Sequence, residues 1–205
     1  YSFYSPAPLE YRSRRGMTLH HRGGWTGDFG VVTLWMIERA CLRRPSLIHV
    51  LSDYSADLLW KLYRVPTERI VRIPGAVDVE RFRPTPDRDA VRRTLELPPA
   101  RPVLLTIRNL EARMGLDQLI RAMALLKRDV PAALLLIGGT GSLRRELESL
   151  SRSLGLDETV RFLGFVPDET LPRYYQAADV FVLPTRELEG FGLVTVEALA
   201  CGTPV

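Results

Sequence analysis

The feature that most narrows the fold is an alternation of strand-like and helix-like segments. Short apolar runs at 47–51, 70–73, 103–107, 133–137, 160–163 and 180–183 read as strands. Apolar residues at helical spacing fill 30–43, 115–127, 142–154 and 171–178, and a last helix ends at Ala200. Ser52 is placed to cap a further helix whose Leu58, Leu59 and Leu62 share one face. Pro74-Gly75 stops the strand before it. A strand-plus-helix unit recurs roughly every 25 to 30 residues, the mark of βαβ crossovers and a parallel sheet. The expected class is α/β. Residues 83–89, with Pro84 and Pro86, read as a linker that divides the chain into 1–82 and 83–205.

Parallel sheets of this kind take ligands outside the carboxyl ends of their strands. The loops leaving strands in that direction are 108–113, 138–142 and 185–192. Gly138-Gly139-Thr140-Gly141 is either steric relief between strand and helix or part of a ligand turn; a dinucleotide-type G-x-G-x-x-G is absent. The third loop is more specific. Glu189 and Glu197 stand eight positions apart around Gly190-Phe191-Gly192-Leu193-Val194. The two glycines are expected to adopt positive φ and let the backbone approach a ligand. A helix starting near Gly192 or Leu193 would point its unpaired N–H groups at an anion such as a diphosphate, with Glu197 one turn in, on the face of Leu193. Carboxylates before and after such a mouth suit hydroxyl-rich ligands, sugar and ribose among them.

The run EGFGLVTVEALACGTPV closely resembles the signature of retaining, nucleotide-sugar-dependent glycosyltransferases of family 4. The resemblance extends to Phe162-Leu163-Gly164-Phe165-Val166-Pro167, Leu171-Pro172-Arg173-Tyr174-Tyr175 and Ala178-Asp179-Val180-Phe181-Val182-Leu183-Pro184. Upstream it takes in Val50-Leu51-Ser52, Ile73-Pro74-Gly75-Ala76-Val77-Asp78 and Arg81-Phe82-Arg83-Pro84. It is strong from about residue 47 and loose over 1–30. It implies the GT-B fold of two Rossmann-like domains with the active site between them. Residues 1–82 would be the rear of the acceptor-side domain. Residues 83–205 would be a nearly complete nucleotide-sugar-binding domain, the chain being cut at both ends and inactive by itself.

The resemblance also implies roles. Glu189 would hold hydroxyls of the transferred sugar, and Glu197 the ribose hydroxyls. Backbone N–H groups of Gly190, Phe191, Gly192 and Leu193, with Val194 close by, would hold sugar oxygens and diphosphate. Gly139 and Gly141 would form the family's glycine turn near the donor phosphates. Phe165 would frame the base or, equally, pack in the core. The donor would be UDP- or GDP-linked, with no cofactor and no metal. The acceptor would be a glycan or lipid-linked molecule, and the protein cytoplasmic.

Two departures bear on activity. Where the family reads approximately G-R-L-x-x-x-K-G, this chain has Arg108-Asn109-Leu110-Glu111-Ala112-Arg113-Met114-Gly115. Its cations, Arg108 and Arg113, each lie one position early, either serving the phosphates through their long reach or facing solvent. Tyr4 replaces a histidine in Phe3-Tyr4-Ser5-Pro6, while His49 reads as a core residue and His20 and His21 as loop residues. These departures keep open a non-catalytic nucleotide-sugar-binding or scaffolding protein.

Composition bounds the rest. The chain has 205 residues, of which 46% are hydrophobic and 25% charged, enough for a packed core. No apolar run reaches the roughly 18 to 20 residues of a membrane span. Cys41 and Cys201 fit buried thiols of a reducing compartment better than a lone disulfide. Net charge is +4, with arginines concentrated early at Arg12, Arg14, Arg15, Arg22, Arg39, Arg43 and Arg44. That face is either a solvated surface or a peripheral contact with anionic membrane at its inner face. No nucleic-acid-binding module accompanies it.

Overall fold

The computed structural model describes residues 1–15 and 28–205, so His20, His21 and Arg22 lie outside the described residues. The chain forms two compact units, Tyr1–Gly75 with Arg186–Phe191, and Ala76–Thr185 with Gly192–Val205.

The first unit carries a three-stranded parallel sheet in the order β1 (Ser2–Phe3), β2 (Ile48–Val50), β3 (Ile70–Arg72). Its helices are α1 (Ala7–Arg14), α2 (Phe29–Arg43) and α3 (Asp53–Tyr63). The Asp28 carboxylate caps α2 by accepting from the amides of Gly30 and Val31, and Ser52 caps α3 by accepting from Ser55. Phe3, Leu42, Ile48, Val50, Leu59, Tyr63 and Val65 make its core. His49 sits mid-strand between Ser2 Oγ at 3.3 Å and the Ile73 carbonyl at 2.9 Å, a satisfied structural residue.

The second unit carries a four-stranded parallel sheet in the order β6 (Val160–Gly164), β5 (Leu134–Gly138), β4 (Val103–Ile107), β7 (Val180–Phe181). The remaining helices are α4 (Arg88–Thr94), α5 (Leu116–Asp129), α6 (Arg144–Ser153), α7 (Leu171–Ala177) and α8 (Leu193–Ala200). Every residue of β5 is buried, because its alternate side chains enter separate cores. Leu134 and Leu136 join Val103, Leu105, Tyr175 and Phe181, whereas Leu135 and Ile137 join Ile120, Met123 and Leu147.

The units part between Gly75 and Ala76, ahead of the boundary predicted at 82/83. Phe82, 4% exposed, packs edge-on against Tyr175 at 6.0 Å and so holds 76–82 in the second unit. The predicted linker also contains the start of α4, because the Asp87 carboxylate accepts from the amide of Ala90 at 2.7 Å. From α4, Arg92 is buried and donates to the carbonyls of Ala177 and Pro99 and to Asp179. Cys201 is buried as expected, but Cys41 is exposed on α2, and both thiols are free.

Candidate functional site

The carboxyl ends of β4, β5 and β6 are joined by backbone contacts that explain their glycines. The amide of Arg108 donates to the Gly138 carbonyl at 2.9 Å, Leu110 to Thr140 at 2.9 Å, and Gly139 to Gly164 at 2.7 Å. Gly139 has φ +129°, and a Cβ there would be driven into the Arg108 carbonyl oxygen. A Cβ on Gly141 would overlap the backbone of Leu110. Glu111 tightens the same turn, accepting from the amide of Ser142 at 3.2 Å and from its hydroxyl at 2.9 Å. Steric relief thus accounts for both glycines. Phe165, the next residue along from Gly164, is 73% exposed; the core alternative for this ring is excluded.

Arg108 is the first residue past β4 and is partly buried. Its Nε and Nη2 donate to Thr185 Oγ1 at 3.2 and 2.5 Å. Burial, and then the like charge of Arg113, lower this guanidinium to about 10, so it stays cationic at neutral pH. The two arginines are therefore brought within electrostatic reach of one another. Asn109, at the position where the family carries its arginine, is exposed. Met114, at the lysine position, is 4% exposed and packs with Leu110 and Leu116.

Helix α8 begins at Leu193, behind Gly192 in the left-handed region at φ +77°. No side chain caps its first turn and no acidic residue stands in that turn, which leaves the helix mouth suited to an anion. Glu197 lies one turn in and accepts a hydrogen bond from the Tyr175 hydroxyl at 2.7 Å. Burial raises the Glu197 carboxyl above its usual range, offset by the Tyr175 bond and by Arg81, while Asp168 raises it further. Burial and Glu197 raise the Tyr175 hydroxyl, while Arg108 lowers it. Arg108, Tyr175 and Glu197 thus form one electrostatic group in the second unit. Tyr175 is fully buried, with edge-on rings of Phe82 and Phe181 on it. The Tyr174-Tyr175 pair stands out in the sequence, but nothing there assigns Tyr175 this role.

The predicted run divides at Gly192. Arg186–Phe191, with Glu189, Gly190 and Phe191, pack in the first unit, whereas Gly192, Leu193, Val194 and Glu197 pack in the second. Gly190 corrects an expectation: its φ is not positive. It is needed because a Cβ would meet the Tyr4 carbonyl at 2.9 Å. The positive φ falls instead on Leu188 (φ 59°), whose side chain is buried. Glu189 is partly buried. Among the described residues no three His, Cys, Asp or Glu side chains cluster to hold a metal ion, and no helix is long and apolar enough to cross a membrane.

The family Glycosyl transferases group 1 matches residues 87–205, and Glycosyltransferase Family 4 matches residues 2–81. A GDP-mannose-dependent alpha-(1-6)-phosphatidylinositol monomannoside mannosyltransferase from Mycolicibacterium smegmatis is 34% identical over 90% of this chain and 49% of its own length. The chain thus spans about half the length of that curated relative. Sucrose-phosphate synthase from Thermosynechococcus elongatus superposes with a TM-score of 0.79 at 28% identity, covering 100% of this chain and 48% of that one. Anabaena Alr3699/HepE, solved in complex with UDP and glucose, gives 0.75 at 26% identity over 84% of this chain and 47% of that one. The fold is accordingly of the GT-B type.

Proposed function

Since the chain belongs to the family Glycosyl transferases group 1, we propose that it is part of a retaining glycosyltransferase moving a hexose from a nucleotide sugar to a glycan or lipid-linked acceptor. The observation that carries this reading is the uncapped start of α8 with Glu197 one turn in, fixed by Tyr175. The UDP bound by Alr3699/HepE and the GDP-mannose in the mannosyltransferase's name support a UDP- or GDP-linked donor. In this reading the second unit is the donor domain and the first the rear of the acceptor-side domain. The 205 residues by themselves bind donor without transferring it. The protein works in the cytoplasm, in peripheral contact with membrane when the acceptor is a lipid.

In the reaction the bond from the anomeric carbon to the diphosphate oxygen breaks as the acceptor hydroxyl oxygen forms its own bond on the same face. The acceptor's proton passes to the departing phosphate. Negative charge grows on the diphosphate, and the barrier falls to the extent that fixed donors already face it. Arg108 and Arg113 supply charge, and the amides of Gly192, Leu193 and Val194 supply donors, with no metal ion required. Glu197 accepts the ribose hydroxyls, Glu189 orients the sugar with the amides of Gly190 and Phe191, and the exposed Phe165 ring frames the base. Gly139 and Gly141 let the phosphate loop close on Arg108.

One observation favours a second reading, a binder without turnover: Met114 fills a core slot where the family has a cation. Calorimetric titration of the chain with UDP and GDP tests the site. Glu197→Ala should weaken binding by about 1 to 3 kcal/mol, and an unchanged affinity removes Glu197 from the pocket. Donor hydrolysis or transfer by the longer protein separates the readings, because tight donor binding with no turnover establishes the binder.

A further inference from the structure

The first unit holds a cavity of 220 Å³ that glycosyl transfer as proposed does not use. Arg39, Arg43, Arg64 and Arg69 line it, with Leu42 and Tyr63. Arg39 and Arg43 are one turn apart near the end of α2, Arg64 follows α3, and Arg69 precedes β3. The cavity therefore lies at the amino ends of β2 and β3. Parallel α/β sheets take their substrates at the other edge.

Four like charges around one hollow repel, and in a folded protein they are ordinarily answered by carboxylates. Here none of the four forms an ion pair among the described residues. The buried acid beside them, Glu38, is committed elsewhere, accepting from the Tyr63 hydroxyl and the Ala7 amide. Arg69 has a structural task, donating to the carbonyls of Leu42 and Arg43 and so neutralising the negative end of α2. Among the described residues Arg39, Arg43 and Arg64 donate to no such carbonyl, and Arg64 lies over the Trp60 ring at 5.3 Å. Arg39 stacks on Trp35 at 4.9 Å, which leaves its edge for hydrogen bonding, and its Nε–H is closed off from solvent with no acceptor. Arg64 holds φ 56°, a left-handed helix-end conformation that Gly or Asn adopts most readily.

We propose that this cavity binds a phosphate-class oxyanion, as free phosphate or diphosphate or as a lipid headgroup. Guanidinium forks match phosphate oxygens two at a time, which ammonium groups cannot do. The space exceeds many-fold the roughly 10 to 15 Å³ that one water needs, so a polyatomic anion fits. Its lining shares no residue with the donor group around Arg108 and Glu197, and the inference stands whether or not the chain transfers sugar.

The test is calorimetric titration of the chain with inorganic phosphate and diphosphate at fixed ionic strength. Arg43→Gln with Arg64→Asn removes two exposed side chains, keeps a residue tolerant of the left-handed backbone, and should leave the melting temperature unchanged. Saturable binding should weaken at least about tenfold in that variant and persist in Arg108→Gln with Arg113→Gln. Equal binding by wild type and the Arg43/Arg64 variant, or complete loss in the Arg108/Arg113 variant, overturns the proposal. Sedimentation with phosphatidylcholine vesicles, with and without phosphatidylglycerol, identifies the source. Sedimentation that needs the anionic lipid, fails in the Arg43/Arg64 variant and is displaced by phosphate identifies a headgroup. Phosphate binding without sedimentation identifies a free anion.

Discussion

Tyr175→Phe separates a packing role from a positioning role at the candidate site. The substitution removes one hydroxyl and keeps the ring between Phe82 and Phe181, so no cavity larger than that oxygen is created. The lost bond is 2.7 Å long and ends on a carboxylate; such bonds contribute about 1.5 to 3 kcal/mol. Glu197 is only partly buried, so water recovers some of this, and a loss near 1.5 kcal/mol is expected. For a chain of this size that lowers the melting temperature by roughly 3 to 6 °C. Function should respond separately. The Tyr175 bond lowers the Glu197 pKa against the burial that raises it. Without it the carboxyl protonates at higher pH, and UDP or GDP affinity should fall several-fold at neutral pH and decline earlier on acidification. The stability linkage has the opposite sign. A carboxyl whose folded pKa is raised adds stability below its unfolded pKa, and that stability is lost as pH rises through the folded value. Tyr174→Phe, one position away on the same helix, should change neither readout. Calorimetric titration across pH, with thermal melts, is the assay. A lowered melting temperature with unchanged affinity and an unchanged pH profile would refute the positioning argument.

Arg108→Gln should weaken nucleotide binding about tenfold and flatten its salt dependence, read by titration at two ionic strengths, because one charge proposed to face the diphosphate is lost. Asp179→Ala leaves the buried Arg92 without its carboxylate partner and the Val103 amide without an acceptor, and should cost about 3 kcal/mol in denaturant unfolding. Gly139→Ala must displace the Arg108 carbonyl and adopt an unfavourable φ, so unfolding should show a loss of about 2 to 3 kcal/mol.

The parallel strands were legible because burial on both faces writes itself as an unbroken apolar run. The run of β5, LLLIG, is the plain case. What the sequence hid was hidden by arginine. In α1, Arg12 is buried, and in α4, Arg92 is buried, each placing polar text where a core residue stands. Hydrophobic spacing cannot flag such positions, so 7–14 shows no helical pattern and the start of α4 falls within the stretch 83–89 that reads as a linker. The start of α8 was found from its glycines, yet the two glycines do different work. Only Gly192 needs positive φ, whereas Gly190 makes room for a carbonyl from a distant part of the chain. Tyr175 could not be told from Tyr174 by residue type. Only the helix phase of α7, which buries one and leaves the other partly exposed, selects the partner of Glu197.

The shifted cations illustrate how register decides chemistry. Aligning on Leu110 and Gly115 put Asn109 and Met114 at the family's charged positions and suggested a weakened site. In the fold β4 ends at Ile107, so Arg108 is the first residue past the strand, its amide still bonded to the Gly138 carbonyl. Its guanidinium turns inward to Thr185, at the far end of the loop that leads to α8, while Asn109 faces solvent. Met114 in turn adds to the core that Leu110 and Leu116 already form. Moving each arginine one position early therefore frees an apolar slot for packing and keeps two cations in the loop, where burial and then the like charge of Arg113 lower the Arg108 guanidinium. Two like charges in one loop repel, and a diphosphate bound by both would relieve that repulsion. On this account added phosphate ligands should raise the melting temperature of wild type more than that of Arg113→Gln. Equal increments would show that the pair does not share an anion.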